Sequence, residues 1–115
     1  MTLAARRGGT QPETILLHEI RAAVIASGKA ILWRNNTGVA THGTFNTGRV
    51  RYGLALGSAD LVGILVPSGR FLAIEVKTPL GRLTSEQKIW ADVVTRCGGL
   101  YVCARSVDEA LAAIA

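Results

Sequence analysis

GSADLVGILVPSGRFLAIEVKT, residues 57–78, decides the fold. Two apolar runs flank Pro67-Ser68-Gly69, a turn signal, so Leu61 to Val66 and Arg70 to Thr78 are expected as strands. The second run, Phe71-Leu-Ala-Ile-Glu-Val-Lys77, has the composition of a sheet interior, yet it carries a carboxylate and an ammonium two residues apart. Side chains alternate between the faces of a strand, so Glu75 and Lys77 share one face and Ile74 and Val76 the other. Burying such ions costs several kcal/mol each, on the order of the usual desolvation penalty, unless partners compensate. Asp60 opens the first strand. If the two strands pair with residue numbers summing to an odd value such as 135, Asp60 lies opposite Glu75 on its face. An even sum turns it away.

Upstream, Pro12 sits where a helix begins, and Glu13 to Ala26 has helical periodicity with Leu16, Leu17, Ile20 and Val24 on one stripe. Glu13 falls within that stripe, so it is expected to face the core side; the plainer reading is a favourable charge at a helix N-terminus. A short strand is expected at Ala30–Trp33, and another near Arg49 to Tyr52 within the Gly-, Thr- and Asn-rich segment 35–58. That segment and its flanks hold Arg34, Asn35, Asn36, His42, Phe45, Arg49, Arg51 and Tyr52. The mixture suits a loop lying along a phosphate backbone, with an ordinary surface loop as the alternative. His42 alone makes no metal site.

Downstream, Thr84-Ser-Glu-Gln87 is a capping-box signature starting a helix expected to bury Ile89, Trp90, Val93, Val94 and Cys97. Gly98-Gly99 ends it; Leu100 to Ala104 reads as a strand and Ser106 caps a last short helix. The fold class is α/β, a mixed sheet flanked by helices. The chain is one domain over 12–115, preceded by a flexible arm over 1–11 whose Arg6 and Arg7 suit a nucleic-acid backbone.

The 115 residues are 49% hydrophobic and 18% charged, which excludes a disordered chain. Thirteen Lys and Arg against eight Asp and Glu give a net charge of +5, and the excess favours a polyanionic partner over mere surface charge. No run is long and apolar enough for a membrane span, and MTLAARRGGTQPE lacks the apolar core of a secretory signal. A cytoplasmic location is therefore expected, with Cys97 and Cys103 as buried, reduced thiols.

Phosphodiester hydrolysis needs a hydroxide at neutral pH and neutralisation of the scissile phosphate, and a divalent cation held by carboxylates supplies both. Mg2+ (or Mn2+) needs few protein ligands, so Asp60, Glu75 and the adjacent Val76 carbonyl suffice. Lys77 would orient the hydroxide or pair with the phosphate. Gln87 would hold the nucleophilic water or Lys77, with helix capping as its alternative role.

The ordered blocks carry a resemblance. An early helical Glu13, then WRNNTG (33–38), GSADL (57–61), EVK (75–77) and LTSEQK (83–88), resembles the VRR-NUC, or virus-type replication-repair nuclease, branch of the PD-(D/E)XK nuclease superfamily. Ala59 stands where that name has Pro. The resemblance implies a restriction-endonuclease-like αβββαβ core with a C-terminal helix. It also implies a Mg2+- or Mn2+-dependent endonuclease with Asp60, Glu75, Lys77, Gln87 and Glu13 at the site. Glu13 would complete the metal shell alongside Asp60, Glu75 and the Val76 carbonyl. Branched or junction DNA in phage or prophage replication and repair is the implied substrate, cut by a homodimer. Arg34, Asn35, Asn36, Arg49, Arg51, Arg82 and Lys88 are its expected contacts. A non-catalytic nucleic-acid-binding module on the same scaffold is the alternative, and a structural or toxin-neutralising protein with a fortuitous E-x-K is the third.

Overall fold

Residues 72–76 are all buried, as a strand covered on both faces requires, and the rest of the molecule is laid around them. A computed structural model describes residues 12–40 and 50–115. The expected N-terminal arm, and His42, Phe45 and Arg49 of the long loop, lie outside the described residues. The elements are α1 (Pro12–Ala26), β1 (Ala30–Arg34), β2 (Gly38–Ala40), β3 (Val50–Tyr52), β4 (Leu61–Leu65), β5 (Phe71–Val76), α2 (Ser85–Arg96), β6 (Leu100–Ala104) and α3 (Val107–Ala113). Four strands form one sheet in the order β1-β4-β5-β6, and β2 pairs with β3 as a separate small ladder. Antiparallel pairing joins β1, β4 and β5, whereas β5 and β6 run parallel across the α2 crossover. With the β2–β3 hairpin set aside, this is the expected αβββαβ core followed by a C-terminal helix.

The two faces of the sheet differ in kind. Leu32 of β1, Leu61 of β4, Leu72, Ile74 and Val76 of β5, and Val102 and Ala104 of β6 pack against α1 and α3. Leu17, Ile20 and Val24 supply the α1 side of this core; Ala110 and Ile114 supply the other. The opposite face carries Ile31 and Trp33, Val62 and Ile64, Phe71, Ala73 and Glu75, then Tyr101 and Cys103, by alternation along the paired strands.

α2 covers only the β5–β6 part of that second face. Its Trp90 ring meets Phe71 and Tyr101 edge-on, with centroids 6.2 and 6.3 Å away, and Val94 is its one buried residue. This corrects the expected burial of Ile89, Val93 and Cys97, all of which are exposed. Periodicity groups the apolar residues of a helix but does not say where the next layer stops. Here Trp90 and Val94 turn toward the sheet, and Ile89 and Val93 turn toward Leu56 of the 54–58 loop. Cys97 is the exposed C-cap and Cys103 is half-buried; neither forms a disulfide.

Candidate active site

The β4–β5 register is the odd one. Leu61 pairs with Ile74 and Gly63 with Leu72, and Leu65 N–H donates to Arg70 O at 2.9 Å, so every pair sums to 135. Extended by one residue, the same register sets Asp60 against Glu75 on the face that α1 and α3 do not cover. Asp60 is held from two sides. Its carbonyl accepts from Asn35 N–H at 2.8 Å, continuing the β1–β4 ladder. Its Oδ2 accepts from Val76 N–H at 2.9 Å, so the carboxylate takes up the β5 donor just where β4 pairing stops.

Glu75 is 3% exposed. Gln87 Nε2 donates to its Oε2 at 3.0 Å, and Lys77 Nζ lies 3.7 Å from the same oxygen. Its Oε1 is buried with no hydrogen-bond partner among the described residues. Burial first, then the charge of Asp60, pushes the carboxyl up to about 8, against the opposing pull of Lys77. Two carboxylates facing one ammonium are short of positive charge, and one buried oxygen lacks a donor. A divalent cation fits this donor set, because it would supply both. Among the described residues no group of three or more His, Cys, Asp and Glu side chains comes together. The fit therefore rests on two carboxylates, backbone oxygen and water.

Gln87 does two things with one amide. Its Oε1 accepts from Thr84 N–H at 2.9 Å, while Thr84 Oγ1 accepts from Gln87 N–H at 3.1 Å, closing the capping box of α2. Its Nε2 is left to reach Glu75. The expected capping role is present, and the other end of the amide meets Glu75 rather than Lys77.

Glu13 does not join this group. It is exposed, forms no ion pair or hydrogen bond among the described residues, and is not among the charges acting on Glu75. The expected core-facing placement does not hold, because the packed stripe of α1 begins one turn later at Leu17. Asn35, expected against nucleic acid, is turned inward instead. Its Nδ2 donates to Ser58 Oγ at 2.8 Å and Ala59 O at 2.9 Å, and its Oδ1 accepts from Leu54 N–H at 3.4 Å. It pins the loop that delivers Asp60. Arg34, Asn36, Arg51, Arg82 and Lys88 are exposed; Arg82 lines a cleft of about 240 Å3 with Pro79, Leu80, Gly81 and Arg105.

Two residues escaped the sequence reading. Arg105 Nη1 donates to Thr78 O at 2.7 Å and Gly81 O at 2.6 Å, clamping the loop that follows Lys77. Tyr101 holds a buried hydroxyl without a partner among the described residues. Burial first, then the nearby Glu75 carboxylate, raises it well above the usual phenol range. Neither an Arg after a strand nor a Tyr within one is a signal in itself. Cys103, directly across from Glu75, is pushed up chiefly by burial and stays a thiol.

A family model described as the VRR-NUC domain matches residues 46–108, just over half of the chain. The match takes in β3 to β6 and the start of α3, and with them Asp60, Glu75, Lys77 and Gln87. A comparison with curated proteins finds no match.

Proposed function

The chain belongs to the VRR-NUC family, a family of nuclease domains, and from that membership we propose a metal-dependent DNA endonuclease selective for branched or junction DNA. In this reading residues 12–115 form one nuclease domain that acts in the cytoplasm during phage or prophage replication and repair. The observation that carries it is the convergence of Asp60, Glu75, Lys77 and Gln87 on one sheet face.

Asp60, Glu75 and the Val76 carbonyl would hold the cation. Asp60 Oδ2 and Glu75 Oε2 are already occupied within the protein, so each carboxylate has one oxygen to offer, Oδ1 and Oε1. Single oxygens from few ligands suit Mg2+ or Mn2+, which keep several waters, better than Ca2+, which favours more and often bidentate carboxylates. When bound, such an ion would lower the pKa of water toward neutrality and offset charge on the scissile phosphate. Lys77 stands on the rim of the pair, half-buried, with its ammonium directed at Glu75 Oε2. It is the proton-bearing group that steadies an attacking hydroxide or a phosphate oxygen. Gln87 fixes the rotamer of Glu75, and Asn35 and Arg105 hold the loops on either side.

For the homodimer, the support is the exposed apolar strip of Leu54, Leu56, Ile89 and Val93, which a second copy would cover. Light scattering checks it: wild type elutes as a dimer and Ile89→Glu as a monomer, whereas a monomeric wild type refutes this part of the reading.

The test of the activity is a supercoiled plasmid and a set of branched, nicked and linear oligonucleotides with Mg2+ or Mn2+. Cleavage is expected to stop with chelator and in Glu75→Ala and Lys77→Ala. Cleavage that survives either change refutes the mechanism, and salt-sensitive binding without hydrolysis supports the non-catalytic alternative.

A further inference from the structure

Among the described residues, the face of the sheet that bears the carboxylates is roofed over only half its width. Over β5 and β6 it lies beneath Trp90 and Val94 of α2. Over β1 and β4 it shows large apolar side chains to solvent, among them Trp33 at 52% exposure and the Ile31–Ile64 pair one row further from the carboxylates. Trp33 lies on the edge strand β1, between that row and the row of the carboxylates. It pairs with Val62, which pairs with Ala73, so the three form one row across the sheet. The next row toward the carboxylates is Asn35, Asp60 and Glu75 by the same registers. Rows on one face are about 7 Å apart and neighbouring strands about 4.8 Å apart, which places the Trp33 and Asp60 backbones roughly 8 Å from each other. The indole is thus a flat, half-exposed ring mounted on a strand one step from the site, in a chain of net charge +5.

We propose that Trp33 is a stacking platform for an unpaired nucleobase beside the scissile phosphate, which makes a flap or an open branch a better substrate than continuous duplex. This rests on the nuclease reading of the neighbouring carboxylates. A base within a duplex already has both faces covered by its neighbours, so only an unpaired or extruded base has a face free for an indole. Base–aromatic stacking is tolerant of base identity, so the selection is for strand structure and not for sequence. A second protein copy suits this spot less well. Three partly exposed side chains fall well short of the roughly 800 Å2 per partner of a stable interface. A phosphate one step away along the same strand would at the same time reach Asp60 and Glu75, which ties this patch to the site in a way a protein partner does not require.

The experiment is binding in chelator, where no cleavage occurs, using an oligonucleotide flap with 2-aminopurine at its first unpaired position and the matching fully paired duplex. The chain has two tryptophans, and Trp90 is packed between Phe71 and Tyr101, so Trp33→Phe separates their emission. The flap is expected to quench Trp33 emission and the duplex to leave it unchanged. Trp33→Ala is expected to lose roughly tenfold to a hundredfold in flap affinity, with duplex affinity little changed and Trp33→Phe retaining most of the preference. Nearly half of the side chain is buried, so Trp33→Ala is expected to melt below wild type while remaining folded at the temperature of the binding assay, where affinities are compared. Equal losses for flap and duplex, an unquenched Trp33, or a dimer that dissociates in Trp33→Ala would each overturn the proposal. Metal-dependent cleavage that persists in Trp33→Ala with its flap preference intact overturns the stacking role alone. A protein that binds flaps through Trp33 yet never cleaves them overturns the nuclease reading and leaves the platform standing.

Discussion

Replacing Glu75 with Gln should stabilise the metal-free protein, and the size of the effect follows from its surroundings. The carboxyl ionises near 4.5 when unfolded and near 8 in the fold. Between those values the folded state holds a proton that the unfolded chain has released, so stability falls as pH rises through the window and levels off above it. At pH 7 the distance from 4.5 is 2.5 pH units, which corresponds to about 3 kcal/mol lost relative to acid conditions. Gln cannot ionise, and its amide oxygen can still accept from Gln87. The variant should therefore gain up to about 3 kcal/mol over wild type at pH 7 and almost nothing at pH 4.5. Urea denaturation in chelator at pH 5.5, 7 and 8.5 measures this, and the difference between the two proteins cancels the titrating groups that do not touch Glu75. It should widen by roughly 1.4 kcal/mol per pH unit in the middle of the window. A difference that stays flat with pH, or a variant less stable than wild type at pH 8.5, would refute the reasoning. Mn2+ should raise the stability of wild type at pH 8.5 and leave Glu75→Gln nearly unchanged.

Asn35→Ala removes three side-chain hydrogen bonds around the Asp60 loop and should cost about 2 kcal/mol by urea denaturation. Its half-saturating metal concentration for cleavage should also rise, and an unchanged value would remove Asn35 from the support of Asp60. Tyr101→Phe deletes a buried hydroxyl that has no partner among the described residues, so chemical denaturation should show a gain of about 1 kcal/mol. A loss would reveal a partner for that hydroxyl. Gly57 has φ +85°, and a Cβ there would lie 2.5 Å from the Glu86 carbonyl group at the start of α2. Gly57→Ala should therefore destabilise by at least about 1 kcal/mol, and a melting temperature equal to wild type would show that the loop can retreat.

The strands and helices were legible because their signals are local. An apolar run cut by Pro67-Ser68-Gly69, a T-x-x-Q box and a Gly98-Gly99 stop each act over a few residues, and β6 and the start of α2 fall where those signals put them. The site was legible as a requirement. Asp60 and Glu75 could meet only in an odd register, but the choice is made by the short connection from Leu65 to Arg70 and by the ladder from Asn35, which no spacing reveals. What stayed hidden depends on how far one layer extends over another. Glu13 is one turn from Leu17 in sequence but lies outside the packed part of α1, and Ile89 and Val93 share a helix with Trp90 yet face away from the sheet. Asn35 was misread because an amide after an Arg in a polar loop resembles a phosphate contact, and only the fold brings Ser58 and Ala59 to it.

The Gln87 side chain joins the first turn of α2 to the buried carboxylate through the two ends of one amide. Fraying of that turn, the most easily opened part of any helix, therefore releases Glu75 as well. The helix start and the carboxylate form one cooperative unit, and hydrogen exchange at the Thr84 and Gln87 amides becomes a reporter on Glu75. Anything that holds Glu75 in its charged form, a bound cation included, should slow exchange at those two amides while leaving the far end of α2 to exchange as before.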